Sequence, residues 1–103
     1  MIGWQLDNEY SSSFIGQNDH THAAFREWLK RRHETIERLN EAWGCQFWNT
    51  QYTDWRQIML PTSRNPNYAN PHHHLDGSRF WSAAYARFNK HQADILKPKI
   101  GNR

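Results

Sequence analysis

The sequence predicts an α/β fold in which one main strand is followed by mostly helical segments. Residues 2–8 alternate apolar and polar side chains, which is the period of a strand with one buried face. Valine is absent, which excludes an all-β domain built from many β-branched strands. A single strand has two edges that need partners. We therefore expect its sheet, a parallel one alternating with helices, to be completed by residues outside this chain.

The composition indicates a folded piece with little aliphatic core. The 103 residues are 37% hydrophobic with a mean hydropathy of -1.06, yet 6 Trp, 4 Tyr and 5 Phe are too many for a disordered segment. No stretch approaches the roughly 18 apolar residues of a membrane span, so no membrane contact is expected. The single cysteine, Cys45, excludes an internal disulfide. The first residues lack the pattern of a signal peptide, so we expect a cytoplasmic location.

Helical spacing organises the first half of the chain after the strand. Residues 11–19 are rich in Ser, Gly and Asn and indicate a loop. A helix is expected from about Thr21, with one apolar face made of Ala24, Phe25, Trp28 and Leu29. A second short helix should begin near Ile36 and be closed by Gly44. Asp54 could cap a further turn, since Gln57 follows it by three residues.

The second half begins with an irregular connection over residues 61–74, which hold three of the four prolines. The run His72-His73-His74 lies in it and is interpreted as a solvated loop, because adjacent side chains rarely converge on one metal ion. A long helix should begin at Asp76 and stop at Pro98. Its apolar stripe would consist of Phe80, Trp81, Ala84, Tyr85, Phe88, Ile95 and Leu96.

Asn8 and Glu9 come at the carboxyl end of the predicted strand. Barrels of alternating strands and helices place their catalytic groups at this end of each strand. Glycosidases need one carboxyl group to protonate the leaving oxygen and a second across the bond. Position alone also fits a solvent-exposed carboxylate at a strand–loop junction.

An ordered series of short stretches runs through the chain. They are residues 4–10 (WQLDNEY), 24–29 (AFREWL), 35–44 (TIERLNEAWG), Phe47-Trp48 with Gln51-Tyr52, Leu60-Pro61, Asn70-Pro71, Leu75-Asp76 and Arg79-Phe80. In this order they resemble glycoside hydrolase family 42, the bacterial β-galactosidases. The resemblance covers nearly the whole chain to about Leu96, and its order makes it far more specific than one dipeptide.

The resemblance implies a (β/α)8 TIM barrel, of which residues 1–103 would be a partial catalytic domain, incomplete at both ends. This segment would hold the fourth strand and the helical excursion behind it. By position, Glu9 matches the acid/base of a retaining β-galactosidase and Asn8 the neighbour that binds the sugar 2-hydroxyl. Trp48 matches a tryptophan that walls the galactose subsite, although core packing is the alternative for this side chain. The implied substrate is a terminal β-D-galactoside, without a cofactor.

The chain also departs from the family. Many members bind zinc through cysteines before the first helix, but residues 16–21 contain none, so no metal is expected. His20 and His22 should lie in a solvated loop there. The nucleophile is another Glu, on the seventh strand, which lies outside this chain. Because the glutamates at 27, 34, 37 and 41 are expected on exposed helix faces, the isolated chain should be inactive.

Two other functions fit parts of the sequence. A nucleic-acid module could use Lys30, Arg31 and Arg32 on phosphates, but a net charge of +3 and no known signature disfavour it, so no nucleic acid is expected. A non-catalytic remnant or interaction module is the remaining alternative. Apart from substrate, the expected partner is the remainder of the barrel, or a second copy bound through exposed apolar faces.

Overall fold

A computed structural model describes Gly3, Gln5, residues 18–61 and residues 70–100, apart from the side chain of Trp48. The chain divides into two compact units, one of Gly16–Phe80 and one of Met1–Ile15 with Trp81–Arg103. Of the predicted strand only Gly3 and Gln5 are described, and neither belongs to a strand. The other residues of 2–8 lie outside the described residues. The described part of the chain is mostly helical, as predicted.

Helix α1 spans Asp19–His33 and begins two residues before the predicted start. Asn18 is its N-cap: its Oδ1 accepts from the Thr21 backbone N–H at 3.0 Å, and Thr21 Oγ1 accepts from the Asn18 N–H at 2.8 Å. His20 and His22 both lie on this helix, so their interpretation as part of a solvated loop is wrong, whereas the helix predicted from about Thr21 already includes His22. His20 is exposed, whereas His22 is buried.

The predicted apolar face of α1 is confirmed at two positions. Phe25 and Leu29 are fully buried, Trp28 is half-buried and Ala24 is exposed. The helix ends at Glu34, whose positive φ of 72° turns the chain and whose N–H donates to the Lys30 carbonyl at 2.9 Å.

Helix α2 spans Ile36–Ala42, close to its predicted position. Thr35 caps it, with Oγ1 accepting from the Arg38 N–H at 3.1 Å. Gly44 follows with φ 62°, a conformation that favours glycine. Two 3₁₀ turns come next, Phe47–Asn49 and Trp55–Gln57. Asp54 caps the second in the predicted capping box with its Gln57.

Residues 58–60 lie outside the helices and bond to helix side chains. The Leu60 N–H donates to His22 Nδ1 at 3.0 Å, and Arg26 Nε donates to the Ile58 carbonyl at 2.6 Å. His73 Nε2 donates to the Met59 carbonyl at 2.7 Å. Side chains of α1 and of the third helix thus satisfy the backbone of this segment.

Helix α3 spans Pro71–Ile100 and corrects two predictions. It begins five residues before Asp76, because Asn70 and Pro71 form a helix start with proline in the first turn, where its missing N–H costs nothing. His72, His73 and His74 are therefore helical rather than in a solvated loop, and His73 is fully buried. The helix also continues through Pro98, since a proline this close to a helix end removes only one late hydrogen bond.

Aromatic rings fill the core of the 16–80 unit, as the composition indicates. His73 stacks on Trp43 with ring centroids 4.6 Å apart, and Phe25 meets Phe80 edge-on at 5.4 Å. The apolar stripe of α3 is buried at Phe80, whereas Phe88 and Ile95 are 46% and 49% exposed. The buried hydrophobic side chains among the described residues are Phe25, Leu29, Leu39, Trp43, Cys45, Tyr52, Ile58, Leu60 and Phe80.

None of the helices in residues 18–61 and 70–100 combines the length and apolar character needed to cross a lipid bilayer.

Candidate functional site

The three predicted site residues differ in how far the structure describes them. Asn8 and Glu9 lie outside the described residues. Trp48 is the central residue of the 3₁₀ turn Phe47–Asn49, and only its backbone is described.

The segment that carries Trp48, residues 43–51, is called here the Trp48 loop. Its centre is closed by Thr50, whose N–H donates to the Cys45 carbonyl at 2.8 Å and whose Oγ1 donates to the same oxygen at 3.0 Å. The Phe47 N–H donates to the Gly44 carbonyl at 3.1 Å, and the Asn49 N–H to the Gln46 carbonyl at 3.1 Å. The backbone at Trp48 is therefore set by a series of local hydrogen bonds.

Cys45 is a buried residue of the Trp48 loop, and its backbone bonds to Asn40 and Thr50. It is a free cysteine with no exposed surface. Burial raises the pKa of the Cys45 thiol, against a smaller lowering by its hydrogen bond with Thr50. A thiol that stays protonated is a poor nucleophile and a poor metal ligand, so Cys45 serves packing.

A groove of about 450 Å³ lies beside the Trp48 loop. Its lining residues are Glu37, Asn40, Glu41, Gly44, Gln46 and Gln51. Glu37 and Glu41 are exposed and lie one helical turn apart on α2.

A buried carboxylate joins the three helices of the 16–80 unit. Asp76 is 2% exposed and accepts from His33 Nε2 at 2.7 Å and from Trp43 Nε1 at 2.8 Å. Arg79 Nη1 lies 3.1 Å and Arg32 Nε 3.2 Å from its other oxygen. Burial acts to raise the pKa of Asp76, but hydrogen bonds from His33, Trp43 and Arg79 outweigh it and lower this pKa.

Sequence reasoning missed the Asp76 cluster and the groove. The Asp76 partners lie 33 and 43 residues away, and nothing local in the sequence indicates such contacts. Within residues 18–61 and 70–100, no three His, Cys, Asp or Glu side chains come together as a metal site. Of the glutamates predicted to be exposed, Glu27 pairs with Lys30 at 3.0 Å and Glu34 with Arg38 at 2.7 Å. Glu34 ends α1 rather than lying inside a helix.

Comparison with known proteins identifies the family. The glycoside hydrolase family 42 model, described as beta-galactosidase, matches residues 1–102. The beta-galactosidase BgaA of Thermus sp. is 42% identical over 101 residues, covering 94% of this chain and 15% of that protein. The beta-galactosidase LacZ of Heyndrickxia coagulans is 35% identical over 98 residues, with 94% and 15% covered.

Solved structures agree with the sequence relatives. The beta-galactosidase from Rahnella sp. R3 superposes with a TM-score of 0.88 at 35% identity, over 96% of this chain and 14% of that one. The enzyme from Marinomonas ef1 gives 0.81 at 39% identity, over 94% and 15%. The chain thus spans about 15% of the length of the relatives it matches. Because the family model matches almost every residue, this chain belongs to the glycoside hydrolase family 42 beta-galactosidases.

Proposed function

We propose that this chain is a segment of a retaining β-galactosidase that hydrolyses terminal β-D-galactosides. The observation that carries the proposal is the family match over residues 1–102, which include Asn8, Glu9 and Trp48. In this proposal the chain supplies the fourth strand of a (β/α)8 barrel and the helices behind it. We also propose a cytoplasmic location, since a lone buried cysteine, Cys45, suits a reducing compartment.

Glu9 is the proposed general acid and base. It protonates the departing glycosidic oxygen, and then takes a proton from the water that releases the sugar. A retaining mechanism needs a partner carboxylate roughly 5–5.5 Å away, and that negative charge favours the protonated form of Glu9 before the first step. Asn8 would hydrogen-bond the sugar 2-hydroxyl, and Trp48 would offer an aromatic face to the C–H groups of galactose.

The nucleophile of this mechanism comes from outside the chain. Among the described residues, Glu27 and Glu34 are engaged in surface ion pairs with Lys30 and Arg38. We therefore expect the isolated 103-residue chain to show no hydrolysis of aryl β-galactosides. Turnover by the purified chain would overturn the proposal that it supplies only one of the two catalytic carboxyl groups.

The remainder of a barrel, or a second copy of the chain, is the proposed partner. Phe47, Met59 and Leu75 are 71%, 41% and 47% exposed in the 16–80 unit, and such side chains favour contact with another surface. Sedimentation of the isolated chain over a range of concentrations tests self-association, and a strict monomer would leave the barrel as the partner.

The acid/base role can be tested in a hybrid enzyme. The aligned segment of the Thermus sp. beta-galactosidase is replaced by residues 1–102 of this chain, and Glu9→Gln is introduced. We expect kcat on lactose to fall by roughly 10²–10⁴-fold, the usual contribution of general acid–base catalysis. Aryl galactosides with good leaving groups should lose less in the first step, because they need little protonation.

Azide provides an independent readout. With aryl galactosides that have good leaving groups, azide should attack the glycosyl-enzyme, restore turnover of the Glu9→Gln hybrid and yield β-galactosyl azide, since an anionic nucleophile needs no general base. Glu27→Gln is the matched control, because Glu27 is an exposed helix residue and the chemical change is the same. Unchanged activity of Glu9→Gln on lactose would remove the acid/base assignment.

A further inference from the structure

Asn40, near the end of α2, bonds to Tyr52, which directly follows the Trp48 loop, and to Cys45 within the loop. Its Nδ2 donates to the Tyr52 carbonyl at 2.8 Å, and its Oδ1 accepts from the Tyr52 N–H at 2.8 Å. Its backbone carbonyl accepts from the Cys45 N–H at 2.9 Å. The side chain of Asn40 therefore fixes where the loop returns, and its backbone holds Cys45 near the start. The paired bonds between the Asn40 amide and the Tyr52 backbone are called here the Asn40–Tyr52 clamp.

The clamp depends on the chemistry of an amide. A donor and an acceptor lie side by side on the Asn40 side chain, so it can pair with a backbone N–H and C=O as another peptide group would. A carboxylate in the same place has two acceptors and would set one of them against the Tyr52 carbonyl. Asparagine is also a weaker helix former than Ala, Leu or Glu, so α2 itself gives no reason for it at this position.

The far end of the clamp is tied to the core. Tyr52 is 8% exposed, and its ring meets Trp43 edge-on with centroids 6.1 Å apart. Trp43 in turn donates to the buried carboxylate of Asp76 at 2.8 Å. Tyr52 and Asn40 therefore connect the Trp48 loop to the core.

We propose that Asn40 is a positioning residue for the galactose subsite, because its clamp fixes Tyr52, where the Trp48 loop returns to the core, while local hydrogen bonds set the backbone within the loop. The functional meaning rests on the role proposed for Trp48 above, whereas the clamp itself can be tested without substrate. Breaking the clamp should displace Trp48 and leave the remaining core in place.

The test uses the 103-residue chain labelled with 5-fluorotryptophan and observed by ¹⁹F NMR. The chain has six tryptophans, and loss of one resonance in Trp48→Phe identifies that of Trp48. In Asn40→Asp at neutral pH we expect the Trp48 resonance to shift by more than its linewidth. The resonance of Trp28, which lies 12 residues before Asn40 and 24 before Tyr52, should stay in place.

Acidification provides the rescue. A protonated carboxyl group again carries one donor and one acceptor, so it can rebuild both bonds to Tyr52. Glu37 and Glu41 are the carboxylates that line the groove beside this position, and both favour the protonated form of the introduced acid. At about pH 4.5, close to ordinary carboxyl values, the Trp48 resonance of Asn40→Asp should return toward that of the unmodified chain.

Two controls accompany the titration. The unmodified chain is measured at both pH values, and Asn89→Asp makes the same chemical change at an exposed position of α3. Neither should show the reversible shift. An unmoved Trp48 resonance in Asn40→Asp at neutral pH would overturn the proposal. So would a change spread over all six resonances, or a shift that acid does not reverse.

A kinetic arm separates this proposal from the proposed function. In the hybrid enzyme, Asn40→Asp should raise KM by about tenfold or more while kcat changes less, since misplacement of a contact weakens binding. Adding Trp48→Ala should abolish that difference. If Trp48→Ala alone leaves KM unchanged, the subsite role of Trp48 fails, while the spectroscopic result on the clamp stands independently.

Discussion

Replacing Asp76 should test what holds the three helices of the 16–80 unit together. Its carboxylate is buried and accepts from His33 and Trp43, while Arg32 and Arg79 approach it from the surface. Asp76→Ala leaves the Trp43 N–H without its acceptor in a buried site. Asp76→Asn keeps the shape and one acceptor oxygen but removes the charge.

The expected cost follows from the burial of each partner. A buried donor left unsatisfied costs about 1–3 kcal/mol, and loss of the His33 hydrogen bond adds about 1 kcal/mol. The side chains of Arg32 and Arg79 are 42% and 46% exposed, so water compensates for most of the ion-pair energy that they lose with Asp76. Asp76→Ala should therefore lower the free energy of unfolding by about 2–4 kcal/mol, and Asp76→Asn by about half of that.

Urea denaturation at neutral pH, followed by circular dichroism, measures this difference. Asp54→Asn is the matched control, because Asp54 pairs with Arg56 on the surface and asparagine preserves its capping role. We expect that control to unfold close to the unmodified midpoint. Equal midpoints for Asp76→Ala and the unmodified chain would refute the inference that Asp76 joins the helices.

The pH dependence of this contribution has a definite sign. Because the pKa of Asp76 is lowered in the folded state, its contribution is fully present above the unfolded-state pKa of about 3.9. It is lost as the pH falls through the lower folded-state pKa. Asp76→Asn should show a smaller loss of stability over that acidic range, and an identical loss in both proteins would contradict the linkage.

Three further predictions concern other buried positions. Burial lowers the pKa of His22, so stability should be full above about pH 6.5 and decline as the pH falls toward the folded-state value. Urea midpoints should show this decline, which His22→Ala removes and His20→Ala does not. The Cys45 thiol, its pKa raised by burial, should react with a disulfide reagent only after unfolding, and fast labelling of the native chain would be contrary evidence. Gly77→Ala would place a methyl carbon 2.8 Å from the Pro61 ring. The clash should cost about 1–3 kcal/mol, more than the roughly 1 kcal/mol by which alanine favours a helix over glycine. The Tm of Gly77→Ala should therefore fall, and a higher Tm would contradict this prediction.

Local sequence signals predicted α2 and the capped turn after Asp54 well. The prediction of α2 rested on apolar spacing and a closing Gly44, and that of the turn on Asp54 with Gln57 three residues later, so both used signals a few residues apart. Similar signals were present at the starts of the other helices. Asn18 as an N-cap and Pro71 as a first-turn residue mark those starts, but the Ser, Gly, Asn and Pro around them favoured loops.

Burial of polar side chains could not be predicted in this way. His73 lies between Trp43 and Phe25 and donates to Met59, and each of these partners belongs to another part of the chain. The same holds for Asn40, whose helix position gives no sign of its bonds to Tyr52. Trp48 was identified as a site residue only through family resemblance. The spacing of apolar residues around it does not distinguish a tryptophan that contacts sugar from one that packs in the core.

The Asp76 contacts bear on the order in which the chain is completed during synthesis. Helices α1 and α2 are synthesised first. The hydrogen-bond acceptor for His33 and Trp43 is Asp76, which lies 43 and 33 residues farther along the chain. Until then the nascent helix pair exposes aromatic surface and an unmatched indole N–H, which makes it prone to non-native contacts. His33 and Trp43 can therefore make these two hydrogen bonds only after Asp76 has been synthesised.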